Sequence, residues 1–290
     1  LYQAPLFFIS VNKEHQMAEQ LVKQHKIRII ISDNCYGMWS NSALNVLITH
    51  QLNIKMPRYL TFLNRFAGAR VRKYIKKFDL CWIPDYDGTN NLSGALSHPL
   101  KDIANARFIG PLSRFMLPVS DNLKTLFTTG DSFILAILSG PENQRSIFEQ
   151  ILVRQFSKSR YKAVIVRGKP ENDDKPENTE QVEFYNHLSA GILRQYIQRA
   201  LVVISRSGYS SIMDFVSLGK TAILVPTPGQ PEQEYLAEKM QKEKKFVCIK
   251  QHRFDLHEAI SKVQQLDTEF SKPDMSVPDK EIRQLENYFP

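Results

Sequence analysis

Cysteine is scarce in this chain, with three residues among 290: Cys35, Cys81 and Cys248. They lie too far apart for a metal-ligand pattern or a disulfide framework, and such usage fits a reducing cytosol. A long hydrophobic run is also lacking, because no stretch of about 18 apolar residues occurs, so we expect no transmembrane helix. The first ten residues contain neither a Met nor a basic residue, which argues against a signal peptide.

The composition is that of a globular chain, with 42% hydrophobic and 23% charged residues. The length predicts about two domains. The net charge of +8 suits an anionic partner such as a nucleotide-sugar, an anionic lipid surface or nucleic acid, and a solvated basic surface is the alternative. We expect a cytoplasmic protein, and a peripheral position at the inner face of the membrane stays open.

Strand and helix patterns alternate along the chain, which favours parallel α/β sheets. Strands are predicted at 27–31, 45–50, 80–84, 107–112, 132–138, 162–167, 201–204, 221–225 and 246–250. Helices are predicted at 15–25, 57–77, 142–156, 190–199, 232–243 and 278–288. Prolines and polar residues interrupt the pattern between 111 and 121, so we predict domains at 1–117 and 118–290. The last helix can pack back on the first domain.

The most informative stretch runs from Ser205 to Asp214 and follows a short apolar run. This order predicts a buried strand, a tight glycine turn and a helix that opens with two hydroxyl residues. A helix start offers free N–H groups and partial positive charge to phosphate, and Gly208 lets the backbone approach an anion. Ser210 and Ser211 can donate to phosphate or cap the helix, and Asp214 can hold sugar hydroxyls. We predict a nucleotide-phosphate site, with an ordinary strand–helix turn as the alternative.

Two further polar turns follow predicted strands of the second half, at Ser139-Gly140 and Arg167-Gly168. In open α/β sheets, ligands bind at the carboxyl ends of strands. We therefore expect both turns to lie near the stretch that begins at Ser205, although Ser139-Gly140 alone would be a common turn.

Residues 132–250 resemble the C-terminal domain of family 28 glycosyltransferases, which have the GT-B fold. In that α/β fold, two Rossmann-like parallel-sheet domains face each other across a cleft. The resemblance is carried by Arg206-Ser207-Gly208, Ser211, Asp214, Gly219-Lys220, Val225-Pro226 and Gln233-Glu234-Tyr235. The family pattern has Glu in place of Asp214, Gly-x-Pro at Gly219, and Gln in place of Glu234.

The first half resembles the later part of a GT-B N-terminal domain. It does so through Ser32-Asp33-Asn34-Cys35-Tyr36-Gly37 and Thr49-His50-Gln51-Leu52. The usual opening of that domain is a strand, a Gly-rich loop and a His. The resemblance places this opening before Leu1, so we expect the N-terminal domain to be incomplete.

The resemblance implies the reaction and the roles of residues at a donor site. The implied reaction moves a sugar from a nucleotide-diphosphate donor, a UDP-sugar by this likeness, to an acceptor hydroxyl. Ser139 and Gly140 are implied to contact the diphosphate. The implied phosphate contacts at the helix start are Arg206, Ser207, Gly208, Ser210 and Ser211. Asp214 would contact the ribose, Gln233 and Glu234 the sugar, and Arg167 would lie beside the uracil. No metal or further cofactor is expected. The acceptor is left open, a lipid-linked or cell-envelope molecule being one option.

Two residues of the first half are candidates for the base that takes the acceptor proton. His50 ends a predicted strand near the expected cleft, and imidazole titrates near neutral pH. Asp33 also ends a predicted strand and can orient a hydroxyl or act as base. A histidine bonded to backbone and a turn-capping aspartate are the structural alternatives. A further candidate is a residue of the N-terminal opening that we expect before Leu1.

Two other features of the first half have functional and structural interpretations. Asp85 and Asp87 have the spacing of a divalent-cation pair, but Gly88 follows at once and favours a polar turn. The segment 58–77 is basic and aromatic, through Arg58, Arg65, Arg70, Arg72, Lys73, Lys76 and Lys77 with Tyr59, Phe62, Phe66 and Tyr74. It can lie against an anionic membrane or be the solvated face of a helix. No nucleic-acid-binding pattern accompanies it, so nucleic acid is not a predicted partner.

Two rival functions stay open. One is a UDP-sugar 2-epimerase on the same fold, which would need further carboxylates in the cleft. The other is a non-catalytic nucleotide-sugar-binding protein, which the substitutions at Asp214 and Glu234 keep open.

Overall fold

The computed structural model describes residues 3–56, 58–100, 103–116, 132–171, 174, 176–266, 270 and 276–286. The chain folds as two compact units: Leu1–Pro111 with Asp274–Pro290, and Leu112–Pro273. The domain boundary that the sequence places after residue 117 falls within 117–131, outside the described residues, and stays a prediction.

The first unit is built on a parallel four-stranded sheet whose strands follow one another in chain order. The strands are β1 (Ile29–Asp33), β2 (Leu44–Ile48), β3 (Leu80–Ile83) and β4 (Ala106–Phe108). Its helices are α1 (Gln3–His25) and α2 (Asn64–Ile75), with 3-10 helices at Arg58–Leu63 and Gly94–Leu96. The apolar runs of β2 and β3 supply the middle of the core, against which Val71 and Ile75 of α2 are buried.

The second unit is built on a parallel six-stranded sheet. Its strands are β5 (Phe133–Ile137), β6 (Lys162–Val166), β7 (Val182–Tyr185), β8 (Val202–Ser205), β9 (Ala222–Leu224) and β10 (Val247–Cys248). Its helices are α3 (Gln144–Phe156), α4 (Ala190–Arg199), α5 (Tyr209–Ser217), α6 (Pro231–Lys242) and α7 (Leu256–Gln264), with a 3-10 helix at Gln251–Arg253. The last helix, α8 (Ser276–Glu286), belongs to the first unit.

The structure corrects two features of the predicted element pattern. The basic segment is not one helix, because the backbone at Leu60 (φ −121°, ψ 17°) is not helical and α2 begins only at Asn64. Helix α7 was not predicted, although its signal is in the sequence: Asp255 caps it by accepting a hydrogen bond from the Glu258 amide at 2.8 Å, and Asp-x-x-Glu is a capping-box spacing. No helix within the described ranges is long and apolar enough to cross a bilayer.

A glycine lets helix α1 pack closely against the loop that follows β1. The Gly37 amide donates to Glu14 Oε2 at 3.0 Å, and a Cβ at Gly37 would lie 2.1 Å from the carbonyl oxygen of Val11. Two residues further on, the Trp39 ring stacks on His15 with 3.9 Å between centroids. Only a residue without a side chain lets the helix and loop backbones come this close.

We predict that Gly37→Ala lowers the free energy of unfolding by about 2 kcal/mol, within the usual range for overpacking. The added methyl group must push the Val11 carbonyl away. This carbonyl belongs to the backbone, which cannot move aside as a flexible side chain can. Denaturant unfolding of the full chain measures the change.

Gly68→Ala in α2 is the matched control. There a Cβ meets the flexible end of Arg72 at 3.2 Å, and alanine favours a helix over glycine. The control should shift the free energy of unfolding by less than about 1 kcal/mol. Equal stability of both variants would contradict the packing described for Gly37.

Candidate functional site

The strand order of the second sheet reverses between β5 and β8. From β5 the chain adds β6 and β7 on one side, and from β8 it adds β9 and β10 on the other. Ile137 is in register with Ser205, so the loops after these two strands leave the sheet at the same level. Ligands of open α/β sheets bind at such a switch point, at the carboxyl ends of the strands. The structure thus brings Ser139-Gly140 and Arg206-Ser207-Gly208 to one edge.

The start of α5 is open. Gly208 precedes the helix in an extended conformation (φ −69°, ψ 146°), and no side chain caps the helix. The first intrahelical bond runs from the Ile212 amide to the Gly208 carbonyl, so the amides of the first turn lack intrahelical partners. A Cβ at Gly208 would meet nothing within 4 Å. Neither backbone conformation nor neighbouring atoms of the protein therefore require glycine here.

Ser210 and Ser211 add hydroxyl groups to the same turn. Ser210 is exposed and Ser211 is half-buried. Helix starts attract anions through their free amides and the helix dipole. The first turn of α5 therefore presents amides and hydroxyls to the outside, in the arrangement that the sequence predicts for a phosphate site.

Gly140 lies opposite a buried polar atom. Its backbone has φ +94°, which favours glycine, and a Cβ there would lie 3.5 Å from Thr227 Oγ1. Thr227 is 1% exposed, and its hydroxyl oxygen finds no hydrogen-bond partner in the described part of the chain. Buried polar groups are nearly always hydrogen-bonded. The unsatisfied Thr227 hydroxyl therefore indicates a polar environment beside Gly140. The sequence analysis did not identify Thr227.

Arg206 is turned inward. Its side chain is 1% exposed, donates to the carbonyls of Gln144 at 2.8 Å and Val225 at 3.2 Å, and lies 4.5 Å above the Phe148 ring. Among the described residues no carboxylate pairs with it, and burial lowers the pKa of its guanidinium to about 10. The geometry favours a positioning role over the direct phosphate contact expected from the sequence.

Ser207 and Gln233 join the switch-point loop to α6. Ser207 donates to the Gln233 carbonyl at 2.8 Å, and the Gln233 side-chain oxygen accepts from the Thr227 amide at 2.9 Å. The Gln233 amide nitrogen donates to Gln230 at 2.6 Å. Gln233 is therefore engaged within the protein, whereas Glu234 is exposed and accepts from the Gly229 amide at 3.3 Å.

Asp214 is occupied by neighbours that the sequence did not indicate. Its carboxylate accepts a hydrogen bond from Ser113 at 2.6 Å and faces Arg114 Nε at 3.3 Å. The carboxylate is largely buried, and burial raises its pKa, an effect that Ser113 and Arg114 oppose. About a hundred residues separate these groups in sequence, and no local pattern links them.

Arg167 holds its own loop together. Its Nε faces both carboxylate oxygens of Glu149 at 3.0 and 3.1 Å, and Nη1 donates to the Asp174 carbonyl and the Asn186 side chain. The side chain is 8% exposed. Arg167 therefore positions the ends of β6 and β7, and the expected place beside a nucleobase stays a prediction.

The two candidate bases lie at the carboxyl ends of β1 and β2. Asp33 is the last residue of β1 and is exposed, whereas His50 follows β2 and is buried. Between them, Thr49 donates to the Asn34 side chain at 2.6 Å and lies 3.1 Å from the Tyr36 hydroxyl. A catalytic role for Asp33 or His50 stays a prediction.

The polar-turn interpretation of Asp85 is confirmed. Its carboxylate is fully buried and accepts from the amides of Tyr86, Leu92 and Ser93. Asp87 is exposed. Across the described ranges, no group of three or more His, Cys, Asp or Glu side chains could hold a metal ion.

A family model for the glycosyltransferase family 28 C-terminal domain matches residues 134–285. A sequence relative is the UDP-N-acetylglucosamine--N-acetylmuramyl-(pentapeptide) pyrophosphoryl-undecaprenol N-acetylglucosamine transferase of Buchnera aphidicola. It is 23% identical over 188 residues, which cover 63% of this chain and 49% of the relative. The chain thus spans about half the length of the curated relative that it matches.

Two solved structures show similar folds. The glycotransferase of kitacinnamycin has a TM-score of 0.62 and 13% identity, covering 98% of this chain and 82% of that one. The Methanocaldococcus jannaschii UDP-GlcNAc 2-epimerase, solved with UDP-GlcNAc and UDP, has a TM-score of 0.62 and 12% identity, covering 96% and 80%. These likenesses concern the fold alone, and the predicted GT-B class with two parallel-sheet α/β domains is confirmed.

The buried Arg206 generates a prediction for stability. Lysine cannot reach both carbonyls with one ammonium, and its compact charge is harder to remove from water than a guanidinium. We expect Arg206→Lys to lower the free energy of unfolding by about 2–4 kcal/mol, measured by denaturant unfolding.

The same substitution at an exposed arginine is the control. Arg253 is exposed, so Arg253→Lys should change the free energy of unfolding by less than about 0.5 kcal/mol. An Arg206→Lys chain as stable as the unmodified protein would show that the guanidinium does not hold the loop.

Proposed function

Because the chain belongs to glycosyltransferase family 28, whose C-terminal domain matches residues 134–285, we propose that it transfers a sugar from a UDP-sugar to an acceptor hydroxyl. The second unit binds the donor. One observation carries the proposal: the open first turn of α5 stands at the switch point of the sheet, where Gly208 leaves space that the protein itself does not fill.

The donor diphosphate fits this site chemically. The amides and the hydroxyls of Ser210 and Ser211, at the start of α5, can donate to phosphate oxygens. The charge of Arg206 lies beneath the same loop, unpaired by any carboxylate among the described residues. A preorganised positive environment stabilises the charge that develops on a leaving diphosphate.

The reaction exchanges one bond at the sugar for another. The bond between the anomeric carbon and the diphosphate oxygen breaks, and the acceptor oxygen bonds to that carbon. The electron pair of the broken bond leaves with UDP, and the acceptor proton passes to a base. Asp33 and His50 are the candidates from the sequence.

Asp214 is the proposed contact for the ribose hydroxyls. An ionised carboxylate only accepts hydrogen bonds, and each of its oxygens can accept more than one. Ser113 uses part of this capacity at Oδ1. Ribose binding then requires the Asp214 carboxylate to be shared with Ser113 or released by it.

The acceptor is proposed to be lipid-linked. The name of the Buchnera relative includes a pyrophosphoryl-undecaprenol, which is such a molecule. In this chain Phe62 and Phe66, four residues apart, are 70% and 73% exposed. The same segment carries the exposed cations Arg65, Arg70, Lys73, Lys76 and Lys77. Exposed aromatic rings among cations are suited to an anionic membrane surface.

A 2-epimerase remains the alternative, because the M. jannaschii epimerase shares the fold. Product analysis separates the two activities. With UDP-N-acetylglucosamine as the substrate, a transferase releases UDP and moves the sugar to an acceptor or water. An epimerase instead leaves a UDP-sugar with inverted stereochemistry at C2. A non-catalytic protein binds the nucleotide-sugar and changes nothing.

Calorimetric titration of the full chain with UDP tests the donor site, with GDP, ADP and dTDP as controls. We expect UDP to bind and Gly208→Ala to weaken binding at least tenfold, since a methyl group would occupy the space that a phosphate needs. The variant's free energy of unfolding should change by less than about 1 kcal/mol, because the conformation suits alanine and no atom lies within 4 Å.

Gly68→Ala, in the first unit, should bind UDP like the unmodified chain. Asp214→Ala should also weaken UDP binding, through the ribose. Equal UDP affinity of Gly208→Ala and the unmodified chain would place the diphosphate elsewhere. No binding of any nucleotide would overturn the donor-site proposal.

Sedimentation with lipid vesicles tests the membrane contact. We expect the full chain to bind vesicles that contain anionic phospholipid, and binding to fall as salt rises. Phe62→Ser with Phe66→Ser should weaken binding at least tenfold, because each buried Phe contributes about 1.5–3 kcal/mol.

Leu201→Ser is the matched control, since Leu201 is a 54% exposed apolar residue of the second unit. It should leave vesicle binding unchanged. A double variant that sediments like the unmodified chain would contradict the proposed membrane contact.

A further inference from the structure

A cluster of charged side chains in the second unit is not used by the donor site proposed above. Glu142 follows β5, Arg145 lies in the first turn of α3, and Lys169 follows β6. Glu142 Oε1 lies 2.5 Å from Arg145 Nη2 and 3.2 Å from Lys169 Nζ. Glu142 Oε2 accepts a hydrogen bond from Ser146 Oγ at 2.7 Å. Two cations and a hydroxyl therefore converge on a single carboxylate.

The fold holds the two cations in place. Arg145 Nη1 donates to the Gly168 carbonyl at 2.7 Å, and the Lys169 amide donates to the Asn186 carbonyl at 2.8 Å. Gly168 has φ +66°, and a Cβ there would lie 2.4 Å from the Leu138 carbonyl oxygen, so the loop after β6 packs directly on the end of β5. The Arg145 and Lys169 side chains are only 16% and 15% exposed. Their positive charges are therefore largely fixed at this edge of the sheet.

The carboxylate is the member of the cluster that is free to move. The Glu142 side chain is 45% exposed, and it leaves the segment between β5 and α3. Ion pairs that are open to solvent contribute little to stability, so the carboxylate can turn into water readily. The hydrogen bond from Arg145 lowers the pKa of Glu142 to about 2. Glu142 is thus ionised throughout the neutral range and occupies the cations there.

A cavity of about 320 Å³ opens at this cluster. Its lining residues are Glu142, Arg145, Gly168, Lys169, Pro170 and Glu171. Glu171 is exposed, and the cations pair with Glu142 instead. The cavity has room for a group much larger than a water molecule, whose share of liquid volume is about 30 Å³. It lies at the carboxyl ends of β5 and β6, where open α/β sheets bind their ligands.

From this geometry we infer that Arg145 and Lys169 form a binding site for a phosphate-class anion, and that Glu142 occupies the site until the anion displaces it. Guanidinium and ammonium groups are the side chains best suited to phosphate oxygens. The Glu142 carboxylate stands where the anion would bind, with its oxygens on the donors that phosphate oxygens would use. When the anion enters, the two cations and Ser146 exchange one acceptor for another, and Glu142 turns toward solvent.

Two sources can supply such an anion. Glu142 comes two residues after Gly140, so the phosphates of a nucleotide donor are one source. Free inorganic phosphate or pyrophosphate is the other. The site does not depend on the proposed sugar transfer, because its residues are not those assigned to the donor.

Calorimetric titration of the full chain at low salt tests the site, with inorganic pyrophosphate, UDP and uridine as the probes. We expect Glu142→Gln to raise the affinity for pyrophosphate at least fivefold. The neutral amide competes less for the cations, and the apparent affinity of a site rises with the fraction of molecules in which it is open. Arg145→Gln with Lys169→Gln should lower this affinity at least tenfold. Misfolding cannot produce a gain in affinity, so Glu142→Gln decides the outcome even if the double variant unfolds.

Glu171→Gln is the matched control. It removes the same charge from the same cavity, but the carboxylate that it removes is not the one paired with Arg145 and Lys169. The affinity for pyrophosphate should change less than twofold. Glu142→Gln placed in the Gly208→Ala chain should still raise the affinity, because Gly208 belongs to a different loop.

The three probes identify the source of the anion. An equal rise for UDP and pyrophosphate, without a rise for uridine, assigns the site to the donor's phosphates. A rise for pyrophosphate alone assigns it to free phosphate. Unchanged pyrophosphate affinity in Glu142→Gln, an equal rise in Glu171→Gln, or no pyrophosphate binding by any variant would overturn the inference. Pyrophosphate binding in the expected pattern without any binding of UDP would contradict the proposed donor site and support this one.

Discussion

The guanidinium of Arg206 is the interaction on which the second unit's loop edge depends. A buried cation without a carboxylate partner is costly. Among the described residues no carboxylate pairs with Arg206, and backbone carbonyls and the Phe148 ring compensate its charge. These contacts join the loop after β8 to the start of α3 and to the residue that follows β9. Three chain segments that are distant in sequence are therefore held at fixed spacing around the switch point.

The fixed loop suits the start of α5 to the phosphate binding that we propose. The helix that begins after Gly208 has no side-chain cap, and the two preceding residues are held in place. Arg206 is buried, and Ser207 donates a hydrogen bond to α6. The amides of a helix start are satisfied by side chains, water or ligands, and a fixed loop holds those of α5 in one direction. The buried charge of Arg206 adds positive potential below the same turn. Stability and the proposed anion binding would thus depend on the same few contacts.

Local patterns predicted most of the elements and the start of α5 at the switch point, but they missed α7 and the break at Leu60. Short apolar runs predicted the strands, and a glycine followed by hydroxyl residues predicted the start of α5. The direction of side chains was not predictable in this way. Arg206 and Arg167 have the residue type of phosphate ligands, yet their guanidinium groups bond within the protein. Ser113 contacts Asp214 across about a hundred residues of sequence, and no local pattern links the two.

The central claim is that the donor diphosphate binds at the first turn of α5, beside the loop of Gly140. Amide hydrogen exchange with and without saturating UDP tests it most directly, because the amides that bind phosphate are those whose exchange should slow. We expect slower exchange in peptides that contain residues 209–211 and 139–141, with little change along α1 and α2. Bound UDP with unchanged exchange in the α5 peptide would contradict it.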